Sequence, residues 1–152
     1  MSVVRRGKPE DGPILARLHS KSFEIGWPEA DFATYLRSDQ TTDQVWVLDD
    51  PPVGFIVVRH LVDEAEILTL AVESAGRRQG RGAGLLRAVC EALSQLGVRR
   101  LFLEVAVDNV AAIGLYRRHG FVDQGVRRAY YQRRGGERVD ALVMAYDLPA
   151  AH

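Results

Sequence analysis

The segment RRQGRGAGLL, residues 77–86, decides the fold because three glycines alternate in it at the start of an apolar helical pattern. The preceding run, residues 65–72, has the length and composition of a strand, and residues 100–107 form another. Between them, residues 80–96 are expected to be helical. The order strand–helix–strand predicts two parallel strands joined by a right-handed crossover. The apolar stripe of the helix consists of Leu85, Leu86, Val89, Leu93 and Leu96, and Gly97 ends it.

The same glycine segment predicts a binding site for an anion. Glycine leaves backbone N–H groups uncovered, and the helix that follows adds its unsatisfied amides and the positive end of its dipole. Arg77, Arg78 and Arg81 supply countercharge, so that a diphosphate is the expected occupant. Two familiar diphosphate motifs are absent. Gly84 is not followed by the Lys-Ser/Thr pair of a P-loop, and Leu85 replaces the third glycine of the dinucleotide-binding pattern.

Hydrophobic periodicity along the rest of the chain predicts a mixed α/β domain with the element order ααβββαβαββ. Two short helices are expected to begin near Pro9 and Pro28. The further elements are strands at residues 44–48, 53–61 and 64–72, the helix and strand described above, a helix at residues 109–119 and a closing sheet region between residues 121 and 146.

The length of 152 residues is that of one domain, and we expect residues 1–152 to form a single one. The longest apolar runs have the length of strands, well short of the roughly 18–20 residues of a membrane span. Residues 1–15 lack the apolar stretch that a signal peptide requires. We therefore expect a soluble, cytoplasmic protein without a membrane partner.

Charge and cysteine content narrow the possible functions. The chain has 20 Lys plus Arg and 20 Asp plus Glu, so its net charge does not attract it to nucleic acid. Arginines nevertheless cluster at residues 77–87 and 127–138, which favours a small anionic ligand. Cys90 is the only cysteine, and the four histidines show no metal-ligand spacing. We expect no direct nucleic-acid partner, no disulfide and no metal.

The spacing Gln79-x-x-Gly82-x-Gly84 resembles the pyrophosphate motif of the GNAT superfamily of N-acetyltransferases. Nearly the whole chain is similar to one subtype, the ribosomal-protein-alanine N-acetyltransferases. The segments that carry this similarity are residues 26–29, 65–72, 103–105, 109–116, 120–121, 127–131 and 140–144. The resemblance implies an enzyme with the GNAT fold, in which a central, mostly antiparallel sheet with one parallel crossover has helices on both faces. It also implies acetyl-CoA as cosubstrate and no metal.

The resemblance further implies where acetyl-CoA binds. Its diphosphate would lie over residues 78–84, and its pantetheine arm would pair with backbone between splayed strands. Asn109 has two compatible interpretations. It can be the N-cap of its helix, a role that Asp108 could also fill, and it can hold the pantetheine arm. The implied cofactor-binding residues are Leu70, Ala71, Val72, Arg77, Arg78, Gln79, Gly80, Arg81, Gly82, Ala83, Gly84 and Asn109.

Glu104 and Tyr116 are the candidate catalytic residues. Alternation along residues 101–107 places Glu104 on the strand face opposite the leucines. This face is either a poorly solvated cleft, which would suit a base, or a solvated surface of the sheet. Tyr116 lies near the end of a helix, where aromatic residues usually belong to the core. The resemblance implies that Glu104 accepts the proton of the amine and that Tyr116 protonates the departing thiolate. A phenol can do so because its ordinary pKa, about 10, is close to that of a thiol.

The acceptor site is the least determined part of the sequence. Trp27, Tyr130 and Tyr131 are expected to line it, although two adjacent tyrosines near a hairpin equally suit packing. Ala129 stands where the resemblance leads us to expect a polar residue. The implied acceptor is an N-terminal α-amine, the alanine of a small-subunit ribosomal protein. The alternatives are an acetyltransferase for a small amine or a lysine side chain, and a non-catalytic acetyl-CoA sensor, against which the presence of both Glu104 and Tyr116 argues.

Overall fold

The computed structural model describes residues 3–23, 25–37, 42–73, 80–132 and 134–150. Arg77, Arg78 and Gln79 lie outside these ranges. The strands are β1 (Val4–Arg6), β2 (Asp43–Leu48), β3 (Gly54–Leu61), β4 (Glu64–Val72), β5 (Arg100–Ala106), β6 (Val122–Gln132) and β7 (Arg138–Asp147). The helices are α1 (Gly12–Ser22), α2 (Glu29–Arg37), α3 (Arg81–Gln95) and α4 (Val110–His119), with short 3₁₀ turns at Pro9–Asp11 and Arg134–Gly136.

The described strands form one sheet in the order β1-β2-β3-β4-β5-β7-β6. Neighbouring strands are antiparallel except for β4 and β5, which are parallel and are joined through α3. The predicted fold class is therefore confirmed. β1 was not predicted, because three residues are too few to show an alternating pattern. This strand pairs with β2, where Val4 lies opposite Leu48.

Helices cover both faces of the sheet and bury two separate apolar clusters. Ile56 and Val58 point from β3 toward α3 and α4, whereas Phe55 and Val57 point toward α1 and α2. This alternation is what a strand covered on both faces requires. None of the helices in the described ranges has both the length and the hydropathy needed to cross a membrane.

The core-facing stripe of α3 is shorter than predicted. Leu85, Leu86, Val89 and Leu93 are buried, but the predicted fifth member, Leu96, is 52% exposed. The helix ends at Gln95, and Gly97 follows with a φ of 88°, a left-handed conformation that glycine adopts without strain. Leu96 therefore lies past the last helical turn and points away from the core.

A bulge in β4 opens the sheet between its two parallel strands. Val57 lies opposite Thr69 and Val58 opposite Ile67, so that Leu68 is an extra residue on β4. A bulge of this kind bends the strand and increases its twist. The pairing of β4 with β5 ends at Ile67 and Leu103, although both strands continue beyond that point. The result is a wedge-shaped gap between the ends of β4 and β5.

A second bulge lies in β6, where Arg127 pairs with Ala141 and Tyr131 pairs with Val139. Residues 128–130 therefore face a single β7 residue, Asp140. Ala129 in this bulge has a φ of 52°, and its N–H donates to Asp140 Oδ1 at 2.8 Å. Two adjacent strand residues normally point to opposite faces. The irregular backbone of the bulge allows Tyr130 and Tyr131 to line the same cleft.

Candidate active site

A cleft of about 800 Å³ opens at the wedge between β4 and β5. It extends to both faces of the sheet, from the α1–α2 connection on one side to α4 on the other. Both candidate catalytic residues and all three candidate acceptor residues line it. The predicted site residues in its lining are Trp27, Leu70, Glu104, Asn109, Tyr116, Tyr130 and Tyr131.

Glu104 lies on the face of β5 that points toward α1 and α2, and its side chain is 15% exposed. The sequence left two environments open for Glu104, a poorly solvated cleft and a solvated sheet face. Neither describes it fully, since the carboxylate is shielded from bulk water yet forms an ion pair. The guanidinium of Arg127 lies 3.0 Å from its Oε1. The negative charge of Glu104, together with burial and a side-chain hydrogen bond, raises the pKa of Tyr130. Arg127 is a site residue whose role the sequence did not reveal.

Tyr131 connects β6 to the strand that carries Glu104. Its hydroxyl donates to the backbone carbonyl of Glu104 at 2.8 Å, and its ring lies 5.3 Å from that of Tyr130 at a steep angle. Burial, followed by the charges of Glu104, Tyr130 and Glu66, raises the pKa of Tyr131 to about 12. Tyr131 is thus a neutral hydrogen-bond donor that fixes the β6–β7 hairpin against β5.

Tyr116 reaches the cleft from the opposite face of the sheet. It is 6% exposed and packs in the apolar cluster under α3 and α4, with its ring 5.4 Å from that of Phe121. Burial, assisted by Tyr131, raises the pKa of Tyr116 well above its ordinary value. Its hydroxyl therefore remains protonated, and the residue belongs to the core and to the cleft at once.

Asn109 is the N-cap of α4, because its Oδ1 accepts the backbone N–H of Ala112 at 3.2 Å. The cap is therefore Asn109 and not Asp108. Since the cap uses Oδ1, the Nδ2 amide group is the part of the side chain that could meet a ligand. The two readings of Asn109 remain compatible.

The described part of the glycine segment forms the start of α3, outside the lining of the cleft. Gly80 is the N-cap with a φ of 72°, and Arg81, Gly82, Ala83 and Gly84 form the first turn. Apart from the helix itself, a Cβ added at Gly84 would meet no atom of the described chain within 4 Å. Packing within the described chain therefore does not explain this glycine. Open space above uncovered first-turn amides suits an anionic ligand.

The other two predicted cofactor residues, Ala71 and Val72, lie at the end of β4 and are 3% and 5% exposed. Neither lines the cleft, in contrast to Leu70. Because their side chains are buried, only their backbone could serve a ligand in the wedge. Pairing of pantetheine with this backbone stays a prediction.

Trp27 is held in place by a buried histidine that the sequence analysis did not assign to the site. The backbone N–H of Trp27 donates to Nδ1 of His19 at 3.0 Å, and the two rings lie 4.9 Å apart. His19 is 2% exposed, and burial lowers its pKa to about 4. It is therefore neutral near pH 7, which the acceptor role of Nδ1 requires. No sequence signal marks this contact, because it joins α1 to a loop.

The acceptor side of the cleft carries charges of both signs. Glu66 lines it together with Glu104, and its charge is one of the causes that raise the pKa of Tyr131. The neighbouring Arg59 donates from Nε to Asp43 Oδ1 at 3.0 Å. Arg127 pairs with Glu104 and Arg59 lies near Glu66, so the cleft offers an amine carboxylate acceptors without a net negative charge.

Comparison with known proteins agrees with this geometry. The model of the acetyltransferase (GNAT) family matches residues 13–121. The chain belongs to this family. This acetyltransferase is 31% identical over 145 residues to the [ribosomal protein bS18]-alanine N-acetyltransferase of Escherichia coli K12, covering 95% of this chain and 97% of that protein. It is 28% identical to an N-alpha-acetyltransferase of Sulfurisphaera tokodaii, with coverage of 95% and 92%.

Solved structures agree with the same assignment. The crystal structure of the ribosomal-protein-S18-alanine N-acetyltransferase from Escherichia coli superposes with a TM-score of 0.88 at 30% identity, covering 100% of this acetyltransferase and 97% of that chain. Ard1 from Thermoplasma volcanium gives 0.84 at 27% identity, with coverage of 97% and 98%. The resemblance stated from the sequence, the GNAT fold and the assignment as an acetyltransferase enzyme are thus confirmed.

Proposed function

We propose that this acetyltransferase transfers acetyl from acetyl-CoA to a protein N-terminal α-amine, with the alanine of a small-subunit ribosomal protein as the preferred acceptor. The observation that carries the proposal is that Glu104 and Tyr116 line one cleft from opposite faces of the sheet. A proton acceptor and a proton donor on two sides of one gap suit acyl transfer between bound partners. The names of the relatives support the choice of acceptor.

The structure offers acetyl-CoA a place at each of its parts. The uncovered amides at the start of α3 and the open space at Gly84 would receive the diphosphate. The backbone of residues 70–72, beyond the last pair of β4 with β5, would receive the pantetheine arm as an added strand. Asn109 would contribute its Nδ2 group. Arg77, Arg78 and Gln79 are proposed for the diphosphate from the sequence motif alone.

Acetyl-CoA supplies the activated acetyl group and a thiolate leaving group. Glu104 takes the proton of the acceptor amine, directly or through water, while the new C–N bond forms and the C–S bond breaks. Tyr116 gives its phenolic proton to the sulfur. Because burial disfavours a thiolate as it disfavours a phenolate, the raised pKa of Tyr116 does not prevent this transfer.

An α-amine fits this cleft better than a lysine. Its ordinary pKa of about 7.7–8.0 leaves a sizeable neutral fraction near pH 7, whereas a lysine with a pKa of about 10.4 is almost wholly charged. A carboxylate such as Glu104 can therefore activate the α-amine more easily. Trp27, Tyr130 and Tyr131 would form the walls that hold the first residues of the acceptor.

An assay with three matched peptides tests which amine is the acceptor. Peptides that begin with alanine and contain one lysine would be supplied unblocked, with an acetylated N-terminus, or with an acetylated lysine. Release of free CoA is expected with the first and third peptides and not with the second. Turnover that survives blocking of the N-terminus but not of the lysine would show that the acceptor is a side-chain amine.

A further inference from the structure

Thr69 has a buried hydroxyl without a protein partner in the part of the chain that the structure describes. The residue is 7% exposed and lines the cleft. The other buried polar atoms without a partner in those ranges belong to Arg5 and Arg100, whose guanidinium groups form hydrogen bonds through other nitrogens. Thr69 therefore differs from them, since its side chain has no second polar atom.

The bulge in β4 determines which way this hydroxyl faces. Leu68 is the extra residue, so that Thr69 lies opposite Val57 and shares its face of the sheet. Val57 packs against α1 and α2. In a regular strand Thr69 would share the face of Ile67, which packs under α3 and α4. The bulge thus turns Thr69 toward the side of the cleft that carries Trp27 and Glu104.

A buried hydroxyl without a hydrogen bond lowers the stability of a folded protein, and valine has almost the same shape without that penalty. The hydroxyl is also shielded from bulk water, so hydration does not compensate for the missing bond. Because Thr69 lines the cleft, a molecule bound there can reach the hydroxyl once the side chain turns toward the opening. We propose that the Thr69 hydroxyl hydrogen-bonds with the first residue of the acyl acceptor, which rests on the proposed function of the cleft.

The position of Thr69 favours the acceptor over acetyl-CoA as this partner. It lies on the sheet face of Glu104, the proposed base, and of the aromatic wall formed by Trp27. The start of α3 and Tyr116, which would contact acetyl-CoA, belong to the other face. A missing bond to Thr69 should therefore weaken use of the amine and leave use of acetyl-CoA unchanged.

The experiment compares Thr69→Val and Thr69→Ser with the wild type, and Thr34→Val serves as the matched control. Thr34 is exposed on α2, and its hydroxyl donates to the carbonyl of Ala30. Thr69→Val should lower kcat/KM for an alanine-first peptide by roughly 3- to 10-fold, the effect of one neutral hydrogen bond. Its KM for acetyl-CoA should stay unchanged and its Tm should equal or exceed that of the wild type. Thr69→Ser should keep most of the activity despite a lower Tm.

Two results would overturn the role of Thr69 while leaving the proposed function standing. One is an unchanged kcat/KM for the peptide in Thr69→Val, and the other is a loss confined to the KM for acetyl-CoA. A wild-type protein that acetylates no peptide N-terminus but turns over another amine would contradict the proposed acceptor instead. The Thr69 variants would then be measured with that amine, and an undiminished kcat/KM would again exclude the hydroxyl as a ligand.

Discussion

Glu104 shows how single residues in this cleft depend on their neighbours. Its ion pair with Arg127 involves an arginine side chain that is 56% exposed, so water screens the attraction. Pairs of this kind contribute about 0–1 kcal/mol to stability. The contact is therefore more important for the position of the carboxylate than for the fold. Tyr131 fixes the backbone of the same residue from the other side, through the carbonyl of Glu104.

Glu104→Gln should lower kcat/KM by roughly 10²–10⁴-fold, because the amide keeps the shape of the side chain but cannot accept a proton. The affinity for acetyl-CoA, measured by calorimetry, should remain nearly unchanged. Glu91→Gln, at an exposed position on α3, is the control for the same chemical change. A Glu104→Gln protein with the pH–rate profile of the wild type would make Glu104 a structural residue.

At the scale of elements, the start of α3, the bulge at Leu68 and the bulge at residues 128–130 determine where ligands can lie. The helix supplies an anion site only if nothing covers its first amides, and the described chain leaves the space at Gly84 open. The bulges act on the strands at either side of the cleft. One separates β4 from β5, and the other directs two adjacent tyrosines of β6 into the same space.

Gly84→Asp should weaken acetyl-CoA binding by at least roughly 10-fold while the protein remains folded. The added carboxylate would repel a diphosphate at the start of α3, whereas an acidic residue in the first turn of a helix does not oppose helix formation. The Cβ itself would meet no atom of another element within 4 Å, whereas Gly82 is buried against Leu115 and an aspartate there would lie among apolar side chains. Gly125→Asp on β6 is the matched control, since a Cβ there meets no atom within 4 Å. Equal affinities in the two folded variants, measured by calorimetry, would remove α3 from the cofactor site.

Ala129→Asn should stabilise the protein. Ala129 has a φ of 52°, a conformation in which asparagine is several-fold enriched over other residues with a Cβ. A gain of about 1 kcal/mol would raise Tm by about 2–4 °C in a domain of this size. Ala129→Val should lower Tm, because a β-branched residue is poorly tolerated at positive φ. Equal melting temperatures for the two variants would contradict a strained backbone at the bulge.

The elements that could be predicted from the sequence are those that a local pattern specifies. The alternating glycines and the stripe from Leu85 to Leu93 identify α3, and its neighbouring strands follow from their apolar runs. The bulge at Leu68 leaves no such mark, because one extra residue in an apolar strand does not change its composition. The contact of His19 with Trp27 and the unpaired hydroxyl of Thr69 arise only when distant elements pack, so the sequence did not reveal them.

At the scale of the whole molecule, the stability of the protein depends on a buried histidine, His19, that is neutral in the folded state. Burial lowers the pKa of His19 to about 4 in the folded state, whereas an unfolded chain has a histidine pKa near 6.5. The unfolded state therefore binds more protons between these values. The stability that the neutral ring provides is present above about pH 6.5 and is lost as the pH falls toward 4. Burial and Arg87 lower the pKa of His119 too, which adds to the same slope.

The wild-type Tm should accordingly fall between pH 7 and pH 5, and His19→Gln should fall less steeply over that interval. The comparison uses the slope, so a lower Tm of the variant at pH 7 does not affect it. His60→Gln is the control, because His60 lies at the β3–β4 turn and bonds with the carbonyl of Val62. Identical slopes for His19→Gln and the wild type would show that the acid sensitivity has another origin.

The wedge between β4 and β5 divides the sheet into an amino-terminal half, β1 to β4, and a carboxyl-terminal half, β5 to β7. They are joined in the described chain by four residue pairs, between Glu64–Ile67 and Arg100–Leu103, and by a hydrogen bond from the Arg99 N–H to the Asp63 carbonyl. Trp27 and Thr69 belong to the amino-terminal half, whereas Glu104, Tyr116 and both tyrosines of β6 belong to the carboxyl-terminal half. A hinge rotation about those four pairs would widen or narrow the mouth and leave the distance between the two proton carriers unchanged.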